Sequence, residues 1–261
     1  CKIDRGSDVT IVSTSSYDEP SMGNVAYYLA MMGGFNFISK EAESNPLHHV
    51  SYYNIDKKML NVPEDNGEKK RTLFQKISDY MDHLNTPELI RKQQRIQHEE
   101  AINRKKELKN LNQFVKDIVE ISKGKWVIFL VSTNGIYDSD IHFATGVSND
   151  NKRSGESTAD NEVFNKLYGV MSQELLEKHH LKTDCNQSIT TNNESNIAKV
   201  LGAPRTLKAF SIFISYEVTC RNSEYLYVAQ TMANVIKNEL DKKGCVNTDE
   251  MREYGYGFPE N

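Results

Sequence analysis

The chain has 261 residues, of which 38% are hydrophobic and 26% are charged, a balance typical of a globular protein with one large domain or two smaller ones. A formal net charge of -4 gives no bulk electrostatic reason to bind nucleic acid or an anionic membrane. No apolar run approaches the roughly 20 residues that a membrane-spanning helix needs, so no transmembrane segment is expected and the folded body is expected to be soluble.

Four cysteines, Cys1, Cys185, Cys220 and Cys245, are spread along the chain. They lie too far apart for a zinc ribbon and are too few for a scaffold built on disulfides, so we expect free thiols. Cys1 is open to three interpretations: a lipid-anchored bacterial surface protein, an amino-terminal nucleophile, or an arbitrary start of the sequence. The location could therefore be cytoplasmic, secreted as an effector, or at a membrane through a lipid on Cys1.

The first predicted section covers residues 1 to 66 and alternates strands with a helix. "DVTIVST" (8–14) is β-branched and short, and residues 19 to 34 follow with helical spacing and closing glycines. "FNFIS" and "HHVSYYNI" (48–55) are typical of further strands. Proline, glycine and charge in "VPEDNGEKK" (62–70) then indicate a boundary or a long loop.

A central pair of helices is predicted for residues 67 to 122. Apolar residues recur every three or four positions from Leu73 to Leu84, and Thr86-Pro87-Glu88 is typical of a helix start. Lysine and arginine between residues 91 and 110 alternate with glutamate, which favours a solvated helix face over an RNA-binding arm. An exposed polar helix of this kind could also serve as a binding surface.

The third predicted section, residues 123 to 261, combines strands and helices. "KWVIFLVSTNG" (125–135) and "IHFATGVSND" (141–150) have the pattern of a β-hairpin. A helix over 162–180, a buried strand at Phe210–Ile214 and a last helix near 222–243 follow. The predicted fold class is therefore α/β (or α+β), with a sheet flanked by helices.

The order hairpin, helix with a glutamate, strand, and helix opening with a cysteine resembles the core of the cytidine-deaminase-like superfamily, especially its toxin-type and fungal nucleic-acid deaminase branches. The motifs are "NNES", which contains Glu194, and "TCRNS", which contains Cys220. The resemblance covers residues 125 to 244. It implies a zinc ion held partly by Cys220, with Glu194 as the acid/base.

Two of the four expected zinc-site positions do not match, because they fall on Asn192 and Ser223. A neutral amide and a hydroxyl are poor substitutes for imidazole and thiolate as zinc ligands. Zinc is therefore possible, but the site is degenerate. Cys220 could alternatively act without metal, as a thiol activated at a helix amino terminus and paired with His142 as its base.

Two classes of function follow from these residues. The first is a deaminase-like or cysteine-dependent hydrolase, of which a toxin or effector domain is one form, with Cys220, Glu194 and His142 in catalytic roles. Its substrate would be a small molecule, a nucleotide or a protein. The second is a non-enzymatic binding module, in which Cys220 and His142 only pack and Glu194 only caps a helix.

Overall fold

The structure is a computed structural model, and its fold class is α/β, as the sequence predicts. It describes residues 1–14, 20–40, 53–55, 88–122, 125–134, 137–147, 157–191, 193, 196–202, 207–220 and 224–241. The strands are β1 (Lys2–Ile3), β2 (Val9–Ser13), β3 (Asn36–Ser39), β4 (Trp126–Thr133), β5 (Ile141–Ala144), β6 (Thr183–Cys185) and β7 (Lys208–Ser215). The helices are α1 (Pro20–Gly33), α2 (Glu88–Ser122), α3 (Asn161–His179), α4 (Ile197–Gly202), α5 (Tyr216–Cys220) and α6 (Glu224–Leu240).

The seven strands form one mixed sheet in the order β1-β3-β2-β4-β7-β5-β6. The four central strands β3, β2, β4 and β7 are mutually parallel. At one edge β1 runs antiparallel to β3, and at the other β5 runs antiparallel to β7 while β6 is parallel to β5. The central strands therefore all end on the same side of the sheet, and β5 and β6 end on the opposite side.

The larger apolar core lies on the face of the sheet that α1, α3 and α6 cover. Alternate strand residues point into it because successive side chains of a strand face opposite sides. The strand residues of this cluster are Val9, Ile11, Phe37, Trp126, Ile128, Leu130, Ile141, Phe143, Phe210, Ile212 and Ile214. Helix α3 contributes Phe164, Leu167, Met171 and Leu175, spaced three or four residues apart on one helical face.

The predicted hairpin of residues 125–150 is wrong, because β7 lies between β4 and β5. Strand β4 pairs in parallel with β7 along its whole length, from Trp126 opposite Lys208 to Thr133 opposite Ser215. The continuous apolar run of β4 is the pattern of a parallel strand covered on both faces, rather than of one arm of an exposed hairpin. The apolar runs 127–131 and 210–214 therefore lie side by side in one sheet.

Helix α2 corresponds to the second, long helix of the predicted pair. It begins at Glu88, as the Thr86-Pro87-Glu88 sequence predicts, and continues to Ser122. The first predicted helix of the pair lies outside the described residues. From residue 94 to 106 every side chain of α2 except Asn103 is exposed, which fits a solvated polar face.

The chain divides into two compact units. One unit contains the seven strands together with α2 from Phe114 onward, and the earlier part of α2 belongs to a second unit. The boundary predicted at 122/123 thus falls inside the first unit. In the described part of the chain, no helix combines the length and apolar composition needed to cross a membrane.

Candidate functional site

His142 lies in the middle of β5 and faces away from the larger apolar core. Its neighbours Ile141 and Phe143 belong to that core, so the alternation of the strand turns the imidazole to the opposite face of the sheet. Phe213 of β7 is its partner in the antiparallel register. The His142 side chain is 0% exposed, so any polar atom it carries needs a partner within the protein.

A carboxylate on the neighbouring strand provides one such partner. Because β5 and β6 pair in parallel, Asp184 lies beside His142 in the register. His142 Nδ1 lies 2.9 Å from Asp184 Oδ2, and the Ser188 hydroxyl donates to the same oxygen at 2.7 Å. The three side chains thus form a short polar chain at the edge of the sheet.

Two atoms of this chain have no hydrogen-bond partner among the described residues, His142 Nε2 and Asp184 Oδ1. When the imidazole is neutral and donates its Nδ1 proton to Asp184, Nε2 carries a lone pair and can only accept. Asp184 Oδ1 is likewise an acceptor when the carboxyl group is ionised. Buried acceptors without donors are rare in native proteins and indicate a site with a further occupant or a chemical role.

Tyr137 packs against the imidazole of His142. The two rings meet edge to face, with centroids 5.0 Å apart and an interplanar angle of 73°. Tyr137 itself is 45% exposed, and it lies between β4 and β5 outside any helix or strand. The buried imidazole is therefore in contact with a side chain that is itself partly exposed to solvent.

Tyr53 adds a second buried polar group on the same face of the sheet. Its ring packs edge to face on Phe213 at 5.6 Å, and its hydroxyl donates to the Ser211 hydroxyl at 3.3 Å. Burial raises the pKa of Tyr53 to about 12, because a phenolate would lose its hydration there. The hydroxyl consequently stays protonated at neutral pH and remains a hydrogen-bond donor.

The described arrangement can act as a general base. A carboxylate that accepts from Nδ1 holds the imidazole in the tautomer with a free Nε2 lone pair, and it stabilises the imidazolium that forms when Nε2 takes a proton. Ser188 restrains the carboxylate, because its hydroxyl binds the same oxygen as the imidazole. Asp184 and Ser188 therefore position His142.

Cys220 lies elsewhere, at the end of α5, and is exposed. Helix α5 packs against α1 and α6, which cover the face of the sheet opposite His142. The structure therefore does not bring Cys220 and His142 together as a thiol–imidazole pair. This holds although β7, the strand that precedes the helix of Cys220, pairs with β5, the strand of His142. A hydrogen bond with Cys220 raises the pKa of the Tyr216 hydroxyl.

The predicted zinc site is only partly within the described residues. Glu194, Asn192, Ser223 and Cys245 lie outside them, so the proposed acid/base and two of the four motif positions have no structural description. Among the residues that the structure does describe, no group of three or more His, Cys, Asp or Glu side chains could hold a metal ion. Burial raises the pKa of the Cys185 thiol to about 11, which disfavours the thiolate that zinc requires.

An open cleft of about 610 Å³ lies near α5 on the other side of the sheet from His142. Its lining includes His179, His180, Glu224 and Tyr227. His179 Nε2 lies 2.8 Å from the Thr231 hydroxyl, and burial lowers the pKa of His179. Val218, two residues before Cys220, also lines this cleft, whereas Cys220 itself is not among the lining residues.

Sequence reasoning identified His142 but missed the residues that surround it. Asp184 lies in "LKTDCNQS", where β6 is only three residues long, too short for a strand pattern to be recognised. Tyr137 and Ser188 lie in polar segments without periodicity. Asp184 meets His142 only because β5 and β6 pair in the sheet, and no local sequence pattern predicts that pairing.

Comparison with known proteins gives a similarity of fold alone. No protein-family model matches the chain, and no curated protein matches it. Among solved structures, the crystal structure of gene product Atu2144 from Agrobacterium tumefaciens is similar, with a TM-score of 0.50 and 14% sequence identity, over 89% of this chain and 90% of that chain. At this identity the similarity supports the α/β architecture, and no activity is inferred from it.

Proposed function

We propose that the protein is a hydrolase in which His142 acts as the general base and Asp184 positions it. The observation that supports this proposal is the buried contact of 2.9 Å between His142 Nδ1 and Asp184 Oδ2, together with the unpartnered Nε2 atom. A buried imidazole with one nitrogen fixed by a carboxylate and the other unoccupied is equipped to move a proton.

In the proposed reaction, Nε2 accepts a proton from the attacking water while the water oxygen bonds to the electrophilic carbon of the substrate. The positive charge on the imidazolium is then balanced by Asp184. The same Nε2 proton passes to the leaving group when the bond to that group breaks, which returns the imidazole to its neutral form. Water is the nucleophile here because Cys220 lies on the other side of the sheet.

A second candidate is a cysteine-dependent hydrolase centred on Cys220. The exposure of its thiol favours this candidate, as do the imidazoles of His179 and His180 in the cleft that Val218, two residues before Cys220, also lines. In this version His179 replaces His142 as the base, since burial lowers the pKa of His179 and thereby keeps its imidazole neutral. The zinc-dependent deaminase that the sequence resembles would in addition need ligands from outside the described residues.

The test is hydrolysis of a panel of esters, amides and amino-substituted nucleosides by wild-type protein and matched variants. We expect His142→Gln and Asp184→Asn to lower kcat/KM for the substrate that is turned over, by about 100-fold or more for His142, the range of general acid–base catalysis. His98→Gln, an exposed histidine of α2, is the matched control and should retain full activity.

Ser188→Ala should lower kcat less than Asp184→Asn, because the carboxylate keeps its contact with the imidazole. Loss of activity in Cys220→Ser or His179→Gln, with full activity in His142→Gln, would show that Cys220 and His179, rather than His142, are the catalytic residues. Full activity in the His142, Asp184, Cys220 and His179 variants alike, or a panel without any turnover, would contradict the hydrolase assignment.

A further inference from the structure

In the neutral tautomer whose Nδ1 donates to Asp184, the two unpartnered atoms of the His142–Asp184 pair are both acceptors of hydrogen bonds. Nε2 carries a lone pair when Nδ1 donates to Asp184, and Oδ1 belongs to a carboxylate whose other oxygen already accepts from His142 and Ser188. A group that satisfies these atoms must donate hydrogen bonds. An anion offers only acceptor atoms to these two acceptors, and the negative charge of the Asp184 carboxylate would repel it.

The rings beside the pair favour the same kind of occupant. Tyr137 packs against the imidazole, while Phe213 lies next to His142 in the sheet and carries Tyr53 on its face. Aromatic faces attract cations and tolerate neutral apolar groups, whereas they offer no compensation to an anion that leaves water. Electrostatics and packing thus exclude the same class of ligand.

We propose that His142 and Asp184 form the floor of a binding site for a neutral or cationic hydrogen-bond donor, such as an amide or an amine, and that Tyr137 is its removable cover. The inference concerns the same site as the proposed hydrolase and names the class of substrate group that approaches the base. The inference rests on the proposed hydrolase function in one respect only, namely that the bound group belongs to a substrate.

The Tyr137 side chain is suited to move. No hydrogen bond joins it to another described residue, so its ring contact with His142 is its one described attachment. Nearly half of its surface already faces solvent. A rotation of the side chain would therefore break no hydrogen bond within the described part of the chain, and it would remove the ring that packs against the imidazole.

Carbethoxylation by diethyl pyrocarbonate, read at His142 by peptide mass spectrometry, tests the cover. The reagent attacks a neutral imidazole nitrogen that it can reach, and exposed His98 provides the internal reference. We expect Tyr137→Ala and Tyr137→Leu to accelerate modification of His142 at least tenfold relative to His98, while Tyr137→Phe leaves the rate as in wild-type protein. An equal rate at His142 in wild-type protein and in both truncated variants would overturn the role of Tyr137.

The ligand class is tested with acetamide and acetate, which have the same shape but differ in that only acetamide donates hydrogen bonds. Each is titrated into the Tyr137→Ala variant at constant ionic strength while the ¹⁵N resonances of the His142 ring are followed. We expect a saturable shift with acetamide and none with acetate. A saturable shift with acetate, or none with acetamide, would overturn the proposed ligand class.

Asp184→Asn in the same background is the matched control, because it removes the negative charge while keeping the size of the side chain. We expect the discrimination against acetate to be lost in it. Both readouts are independent of turnover. A substrate panel without activity would therefore contradict the hydrolase assignment alone, whereas unchanged carbethoxylation or the wrong probe preference would contradict this site alone.

Discussion

The ionisation of Tyr53, on the His142 face of the sheet, is coupled to folding because its hydroxyl is buried. Burial raises its pKa to about 12, from about 10 in an unfolded chain. The protonated form is therefore favoured in the folded state, and this contribution to stability is fully present below pH 10 and is lost as the pH rises towards 12. A shift of two units corresponds to about 3 kcal/mol.

We predict that wild-type protein loses more stability between pH 9 and pH 12, by roughly this amount, than a Tyr53→Phe variant does. At neutral pH the variant should be less stable by about 1 kcal/mol, since Ser211 loses the hydrogen bond that Tyr53 donates. Urea unfolding at several pH values measures both quantities. Parallel pH profiles for the two proteins would show that the Tyr53 hydroxyl is not buried as described.

Cys220 and Cys185 differ in exposure and should differ in reactivity. Cys220 is exposed, whereas Cys185 is partly buried and has a pKa raised to about 11. Because the thiolate is the reacting form, we predict that iodoacetamide alkylates Cys220 in native protein near neutral pH and modifies Cys185 much more slowly. Peptide mass spectrometry over time resolves the two sites.

Tyr216→Phe is the matched variant for this experiment, because it leaves Cys220 exposed while removing the hydroxyl that is hydrogen-bonded to it. A changed alkylation rate in this variant would show that the hydrogen bond affects the thiol in solution. If Cys220 stayed unmodified in native protein until denaturant was added, both its exposure and its proposed role as a nucleophile would be contradicted.

At the scale of single elements, local pattern predicted most helices and strands of the described chain. Helix α1, strand β3, helix α3 and strand β7 follow the predicted ranges within a few residues, because helical spacing and β-branched runs are signals within one segment. Pairing between segments is different in kind. The hairpin prediction failed because the proximity of β4 and β5 along the chain was taken as proximity in the sheet, whereas β7 arrives from 60 or more residues later and separates them.

The candidate site was predictable only in part for the same reason. His142 could be singled out as a histidine in an apolar strand, but its partner lies 42 residues away on a strand of three residues. Its cover, Tyr137, lies in an irregular polar segment. Side chains that meet through non-local strand pairing leave no spacing signal in the sequence, so the polar chain of His142, Asp184 and Ser188 required the fold.

The whole molecule joins the first 40 residues and the second half of the chain in one sheet. Strand β4 pairs with β2 on one side and with β7 on the other, from Val9 opposite Trp126 to Ser13 opposite Leu130 on the β2 side. Helix α1 packs against α6, and buried Leu29 and Met31 belong to the same apolar cluster as Ile128. Neither half can bury its own apolar surface.

We therefore predict that a fragment of residues 123–261 does not fold alone, even though the predicted deaminase-like section has these limits. Removing β2 would leave the length of β4 as an unpaired hydrophobic edge, a template for aggregation, and removing α1 would expose much of the core. The measurement is the unfolding transition by circular dichroism. We expect the whole chain to unfold cooperatively and the fragment to show no transition.

Co-expression with residues 1–122 is the control that separates loss of partners from loss of chain integrity. The two pieces should co-purify as a complex with a cooperative transition, because the strand pairing of β2 with β4 and the packing of α1 on α6 do not need a covalent link. A lone 123–261 fragment that unfolds cooperatively would instead show that its strands and helices form an autonomous domain. The boundary between β2 and β4 in the sheet would then be a domain boundary.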